Sequence, residues 1–317
     1  KRVNLADGTT TDVGNTNVGL TPVMVKTHPG APFVYVANGT DDTISAFSMS
    51  TSGTLTEIAG SPFATTGGLR SLGIHPGGGF LYAAGSAQVS TFTVGQDGAL
   101  SARTDVALPN GGASTSPMVF YNNPSSQLLL IIAAGGANAS LNHFNVNANG
   151  SLSAGGSIQS VGTSFDGLTT HPNGFLVATR ETANANESQV VSFNISNQAL
   201  PVETSTANLA FDCGGVVGTS NGGLYVGSDS SNQLAGFSLN QNGAFAALNG
   251  SPYTIDHVSN FVALDPTQSL LFAVSNLPAA VSAFGFNGDG SPNKANGSPF
   301  SGGLVAPFLP DFVVFTN

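Results

Sequence analysis

A block of roughly 48 residues recurs six times along this chain, and a seventh copy begins near residue 310. The anchors His28-Pro29, His75-Pro76, Asn123-Pro124 and His171-Pro172 lie 47, 48 and 48 residues apart. Each copy holds four short apolar runs separated by Gly, Pro, Asn and Ser, the pattern of a four-stranded propeller blade. The expected fold is therefore all-β. It is a seven-bladed β-propeller of four-stranded blades, a single domain over residues 1–317, with blades starting near residues 22, 70, 117, 166, 214, 260 and 310.

Within a copy, each run has its own character. Strand a is short and rich in small residues, as in Leu72-Gly73-Ile74 and Val216-Val217-Gly218. The His-Pro anchors, replaced by Asn221-Gly222 and Asp265-Pro266 in later copies, mark the a–b turn, where Pro fixes φ and the polar residue caps. Strand b is the most apolar, as in Leu270-Leu271-Phe272-Ala273-Val274, because both of its faces are covered. Strand c carries one phenylalanine per copy (Phe47, Phe92, Phe144, Phe193, Phe237, Phe284), placed to pack between sheets. Gly53, Gly98, Gly150, Gly243 and Gly290 mark the c–d hairpin, and Gly-Ser-Pro-Phe or Gly-Ser-Pro-Tyr closes strand d in three copies.

The seventh copy stops after one strand, Phe312-Val313-Val314, so the last blade is expected to combine both termini, with a short hairpin from Val3-Asn4-Leu5 and Thr11-Asp12-Val13. Such a blade looks incomplete. Unpaired strand edges are templates for another chain, so a homo-oligomer or filament formed by strand exchange is an expectation.

Charge narrows the partners. Only 8% of residues are charged, against roughly 25% in soluble proteins generally, and the net charge is −10 with seven Lys and Arg in total. No basic patch exists, which argues against nucleic acid and anionic membrane surfaces. No apolar run approaches the ~20 residues of a membrane helix. Polar but uncharged turns suggest a secreted or surface protein, and the absence of a leading Met suggests a processed chain. Cys213 is the single cysteine, so no internal disulfide forms. Asn38-Gly39-Thr40, Asn138-Ala139-Ser140 and Asn186-Glu187-Ser188 match the glycosylation pattern, which chance accounts for in so Asn-rich a chain.

Propeller topology sorts the polar residues. His28, His75 and His171 repeat at one turn position and read as structural. Gly218-Thr219-Ser220-Asn221-Gly222 matches the nucleophile-elbow spacing, but it occupies an a–b turn where no helix follows. His143 reads as a polar contact between blades. The loops leading into strand a place Arg70, Asp166, Asp212, Cys213, His257, Asn260 and Asp311 around the channel mouth, and the b–c loops add Asp41, Asp42, Arg180, Glu181 and Asp229. Two chemistries fit a functional mouth. Asp166, Asp212, Asn260 and Asp311 offer hard oxygen ligands suited to Ca²⁺ or contacts to a small-molecule or glycan ligand. Alternatively, His257 or Glu181 acts as general base while Arg70 or Arg180 stabilises an oxyanion. No resident cofactor is otherwise implied.

The motifs His28-Pro29, Phe33-Val34-Tyr35-Val36-Ala37-Asn38, Thr43-Ile44-Ser45-Ala46-Phe47 and the Gly-Ser-Pro-Phe endings resemble those of the lactonase-like seven-bladed propellers related to 6-phosphogluconolactonase. The resemblance implies a propeller over residues 20–317 and a polar pocket with His, Glu and Arg that opens a sugar lactone. The shared motifs are blade-packing motifs, however, and carry the fold rather than the chemistry. Two arginines among several acids also make a phosphorylated lactone a poor fit. Charge poverty and the missing strands favour a secreted, non-catalytic binding or structural module. A lactone hydrolase is the alternative.

Overall fold

The protein is described by a computed structural model covering residues 2–3, 10–11, 13–109, 114–122, 128–134, 140–159, 164–184, 186–195, 200–276 and 279–301. These form 29 strands and no helix. The pair β1 (Arg2–Val3) and β2 (Thr10–Thr11) is the expected N-terminal hairpin. The rest divides into two compact units, built mainly of residues 12–160 and 161–313.

The first unit holds three antiparallel blades. Blade 1 contains β3 (Pro22–Thr27), β4 (Phe33–Asn38), β5 (Thr43–Met49), β6 (Leu55–Glu57) and β7 (Phe63–Ala64). Blade 2 contains β8 (Ser71–Ile74), β9 (Phe80–Ala84), β10 (Gln88–Val94) and β11 (Leu100–Ala107). Blade 3 contains β12 (Ser114–Asn122), β13 (Leu128–Ala134), β14 (Ser140–Val146) and β15 (Leu152–Gln159).

The second unit repeats the plan. Blade 4 contains β16 (Phe165–His171), β17 (Phe175–Glu181), β18 (Ser188–Asn194) and β19 (Val202–Leu209). Blade 5 contains β20 (Cys213–Gly218), β21 (Gly223–Ser228), β22 (Gln233–Leu239), β23 (Phe245–Ala247) and β24 (Tyr253–Thr254). Blade 6 contains β25 (Phe261–Leu264), β26 (Leu271–Asn276), β27 (Ala279–Phe286), β28 (Pro292–Lys294) and β29 (Phe300–Ser301). In every blade the first four strands pair in sequence order, and in blades 1, 5 and 6 the fifth strand (β7, β24, β29) pairs with strand c (β5, β22, β27). The described residues thus make six propeller blades where seven were expected. The seventh inner strand, Phe312-Val313-Val314, lies outside them.

Burial follows the repeat. All six strand-c phenylalanines are buried, Phe144 and Phe47 almost completely. In the first unit Phe144 packs with Tyr82, Leu130 and Ile132 from blades 2 and 3, and in the second Phe237 packs with Val190, Leu209 and Val226 from blades 4 and 5. The apolar faces of neighbouring blades therefore cover one another.

Two polar contacts fasten successive blades. The strand-b hydroxyl of Tyr35 donates to Gly98 O at 2.9 Å, that of Tyr82 to Gly150 O at 2.8 Å, and that of Tyr225 to Gly290 O at 2.6 Å. Each acceptor is the c–d hairpin of the next blade. Burial pushes the Tyr225 hydroxyl up to about 12, with Tyr253 and Asp289 adding to the shift, so it stays a donor. Blade 4 has Val177 in the tyrosine position, and there Ser192, which faces Val177 across the ladder, donates instead to Gly243 O at 2.7 Å.

The second contact joins adjacent a–b turns. His28 Nε2 meets Gly78 O, and His171 Nε2 meets Gly222 O, each at 3.0 Å. Nδ1 of each ring accepts a backbone N–H two residues on, from Gly30 and Asn173 respectively, so Nε2 carries the proton and donates. The histidines are turn fasteners, as their repetition predicted. The Gly218–Gly222 elbow is likewise a tight turn between β20 and β21, closed by Thr219 N–H to Gly223 O at 2.8 Å.

Strand d takes two forms. In blades 2, 3 and 4 it is one eight-residue strand with a bulge in its pairing to strand c. In blades 1, 5 and 6 the Gly-Ser-Pro motif breaks it in two, and a serine hydroxyl replaces the lost backbone acceptor. Ala46, Gly236 and Ala283 donate their N–H groups to Ser61, Ser251 and Ser298 at 2.9–3.0 Å.

The hairpin glycine is doubly constrained. Gly98 has φ +81°, and a Cβ there would lie 2.7 Å from Ile58 and 2.8 Å from Phe33 of the preceding blade. We expect Gly98→Ala to destabilise the protein by about 3 kcal/mol or more through backbone strain and overpacking. Tyr35→Phe, which removes only the donor, should cost about 1–2 kcal/mol. Urea unfolding of both variants checks the order; an equal loss would mean that strain and overpacking at Gly98 cost no more than one lost hydrogen bond.

Candidate active site

Strand a begins where strand b ends, so their junctions gather at one end of each blade. Blade 4 contributes Asp166 from β16 and Glu181 from β17, and blade 5 contributes Asp212 and Cys213 entering β20 and Asp229 leaving β21. Asp166 sits in an irregularity of the ladder, between the Phe165↔Arg180 and Gly167↔Thr179 pairs. A bulge of this kind re-aims a side chain. Cys213 precedes a similar break in β20.

The bulge directs Asp166 toward blade 5. Cys213 Sγ lies 3.6 Å from Asp166 Oδ2, and Ser164 Oγ donates to Oδ1 at 3.1 Å. Around them the blades are laced together. Thr179 Oγ1 donates to Gly214 O at 3.0 Å, Ser188 Oγ to Phe211 O at 2.7 Å, and Asp229 N–H to Asp212 O at 3.0 Å. Asp212 N–H donates to Ser230 Oγ at 2.9 Å. Both oxygens of the Asp166 carboxyl are thus oriented by fixed neighbours.

The electrostatics are one-sided. Burial pushes Asp166 up to about 7, reinforced by the Glu181 and Asp229 carboxylates and opposed by the hydrogen bonds from Ser164 and Cys213. Asp229 reaches solvent yet is raised to about 6, first by desolvation and then by Asp212 and Glu181. Burial, then Asp166, pushes the Cys213 thiol up, so it stays protonated and is no nucleophile. A half-buried carboxyl that exchanges its proton near neutrality is suited to acid–base chemistry.

Arg180 lies within β17 rather than in a loop, and its buried guanidinium turns into blade 4. Its Nη1 and Nη2 meet the Glu203 carboxylate at 2.8 and 3.0 Å, while Nε and Nη2 donate to Gln189 Oε1 at 2.9 and 2.7 Å. That geometry ties strand b to the two outer strands of the blade. His257 is half-buried in the segment before β25, and Asn260 accepts the Gly215 N–H through its carbonyl at 2.9 Å. Arg70, in the first unit, is exposed. Asp311 lies outside the described residues.

Asp41 and Asp42 serve loop structure, accepting from Leu20 N at 2.6 Å and Leu69 N at 3.0 Å. Asn38 is buried with its amide donating to Thr43 and Ser45, which closes that glycosylation pattern to modification in the folded chain. Asn138 lies outside the described residues. Among the described residues no group of three or more His, Cys, Asp or Glu is placed to hold a metal ion. The Asp166–Cys213 contact joins the starts of strand a in blades 4 and 5, 47 residues apart, and depends on the bulge that turns Asp166.

The family model described as "Lactonase, 7-bladed beta-propeller" matches residues 2–116. A comparison with curated proteins gives no match in sequence. Among solved structures, the chain is similar to the periplasmic gluconolactonase of Pseudomonas aeruginosa (17% identity, TM-score 0.75, covering 94% of this chain and 92% of that one). It is also similar to a candidate 6-phosphogluconolactonase from Bacteroides uniformis (16%, 0.72, 92% and 88%) and to virginiamycin B lyase from Staphylococcus aureus (13%, 0.61, 90% and 87%). At these identities the likeness is one of fold, and the lyase shows the architecture serving another chemistry. The lactonase-like resemblance read from the repeats is thus met by the family match over the first blades and by propeller neighbours across the chain.

The raised Asp166 value has a stability consequence. Because it exceeds the ordinary carboxylate value, folding takes up a proton between them. The contribution is full below about pH 4 and is lost as pH rises through about 7. Asp166→Asn should therefore be more stable than the parent by about 2–4 kcal/mol near pH 8, with the gain vanishing near pH 4. Denaturant melts at both pH values check this, and a pH-independent difference would rule it out.

Proposed function

We propose that the protein is a lactonase-like hydrolase that opens a neutral sugar lactone at the Asp166 cluster. The observation that carries the reading is the match of residues 2–116 to the lactonase propeller model. Propeller neighbours named as gluconolactonases support the same class, and they favour it over the non-catalytic module that the composition suggested. Asp166 is the general base in this reading. Its carboxylate form takes a proton from water as that water attacks the lactone carbonyl, the ring acyl C–O bond then breaks, and the proton passes from Asp166 to the leaving ring oxygen, with Ser164 and Cys213 fixing the carboxyl's orientation. Burial, with Glu181 and Asp229 adding to it, holds its affinity for the proton near neutrality. Seven blades closed by both termini complete the proposed architecture.

Charge argues for the substrate class. The cluster is acidic, Arg180 is engaged by Glu203 and Gln189, and the chain carries a net charge of −10. A phosphorylated lactone would meet repulsion there, whereas an uncharged sugar ring would not. A location outside the cytoplasm fits the low charge and the periplasmic neighbour.

A panel of neutral sugar lactones, assayed above the spontaneous hydrolysis rate, tests the reading. The parent should turn over at least one, with kcat/KM rising to a plateau above about pH 7. Asp166→Asn should lose about 100-fold or more while remaining folded. Absence of turnover in the parent across the panel would sink the proposal.

A further inference from the structure

Nine Asn-Gly steps occur in this chain. At such a step the glycine nitrogen can attack the asparagine side-chain carbonyl carbon. The new C–N bond closes a succinimide, the nitrogen's proton passes to solvent base, and the Cγ–N bond breaks to release ammonia. Water then opens the ring at either carbonyl, leaving aspartate or isoaspartate. The attack needs a glycine N–H that is exposed and donates to nothing, because a nitrogen held in a backbone hydrogen bond is neither free to turn nor free to lose its proton.

The fold sorts the steps by this criterion. In five of them the glycine N–H is held: Gly39 donates to Thr21 O, Gly150 to Asn147 O, Gly174 to His171 O, Gly222 to Thr219 O and Gly243 to Asn240 O, all at 2.8–3.0 Å. Asn110-Gly111 extends outside the described residues. At Asn287-Gly288 the glycine N–H is likewise unheld among the described residues, but the asparagine amide donates to Ser291 Oγ at 2.8 Å, which slows that step. Two further steps have an unheld glycine, Asn249-Gly250 and Asn296-Gly297. Both are exposed, and neither glycine N–H donates to a partner among the described residues.

These two share one structural position. Each forms the centre of the turn that breaks strand d, closed by Ser251 N–H to Leu248 O at 3.0 Å and by Ser298 N–H to Ala295 O at 3.2 Å. Blade 1 has the same turn, Ser61 N–H to Ile58 O at 3.0 Å, with Ala59-Gly60 at its centre. Alanine is therefore compatible with the turn, and asparagine is not required to build it.

We propose that Asn249 and Asn296 are sites of spontaneous deamidation and isoaspartate formation in the folded protein. Isoaspartate routes the main chain through the side-chain carbon and lengthens the turn by one bond. That displaces the Ser251 and Ser298 hydroxyls, which accept the Gly236 and Ala283 N–H groups from strand c. Modification thus loosens the outer strands of blades 5 and 6 as the protein ages. Asn296 is the faster site, because the Asn249 side chain also bonds to the Asp289 carboxylate.

Prolonged incubation of the folded protein in mildly alkaline buffer, followed by peptide mass spectrometry, tests this. The expected result is a gain of about 1 Da at Asn296 and then Asn249, with Asn149, Asn173, Asn221 and Asn242 converting about tenfold more slowly, the factor that opening one backbone hydrogen bond accounts for. Asn249→Ala with Asn296→Ala should abolish the fast phase and leave the thermal melt unchanged. Equal or faster conversion at the hairpin asparagines, a fast phase surviving in the double variant, or no conversion at any site would overturn the proposal.

Discussion

The contact on which the rest of the structure depends is the hydrogen bond from one blade to the main chain of the next. A four-stranded sheet has two faces to cover, and in a propeller only its neighbours can cover them. Apolar burial between blades is strong but non-directional, and it would tolerate sliding. The tyrosine hydroxyls of Tyr35, Tyr82 and Tyr225, each aimed at a hairpin carbonyl in the following blade, remove that freedom. The His28 and His171 bonds do the same at the a–b turns. With register fixed at two heights, the far end of the blades is free to carry irregular backbone. That is where the bulge bearing Asp166 lies.

What repeats in the sequence was legible, and what does not was hidden. The strand-c phenylalanines, the a–b turn histidines and the hairpin glycines recur because each blade solves the same packing problem, so a single sequence displays several solutions at once. The active-site candidates have no such redundancy. Arg180 and Glu181 are adjacent in a strand covered on both faces, and alternation alone does not say which of them turns into blade 4. The guanidinium does, and forms the Glu203 and Gln189 contacts. Asp166 and Cys213 were both placed near the start of strand a, but their contact depends on a bulge that no residue pattern announces. Asp311 and the terminal blade lie outside the described residues.

Poverty of charge shapes the candidate site as much as the residues in it. With few cations in the chain, carboxylates brought together by the fold are not neutralised by neighbours. The one buried arginine of blade 4 is drawn to the outer strand by Glu203. The carboxyl of Asp166 is left to respond to burial and to other acids, and its proton becomes exchangeable near neutrality. In a chain of ordinary composition the same loops would be expected to carry balancing lysines, and the same aspartate would be a spectator.

Blade 4 fastens itself differently from its neighbours, and this bears on how blades can be exchanged. Where strand b carries tyrosine, the residue facing it in strand c is Ala46, Thr91 or Gly236; where strand b carries Val177, the facing residue is Ser192, whose hydroxyl does the donating. The donor has moved across the ladder while the acceptor carbonyl has stayed put. The unit of inheritance is therefore the facing pair, not the single residue. A graft of strand b alone from blade 5 into blade 4 would present two donors, the tyrosine and Ser192, to one carbonyl. A graft of strand c alone in the same direction would leave that carbonyl with none. Shuffling blades, in the laboratory or by gene duplication, works only when the hairpin of strands b and c travels whole.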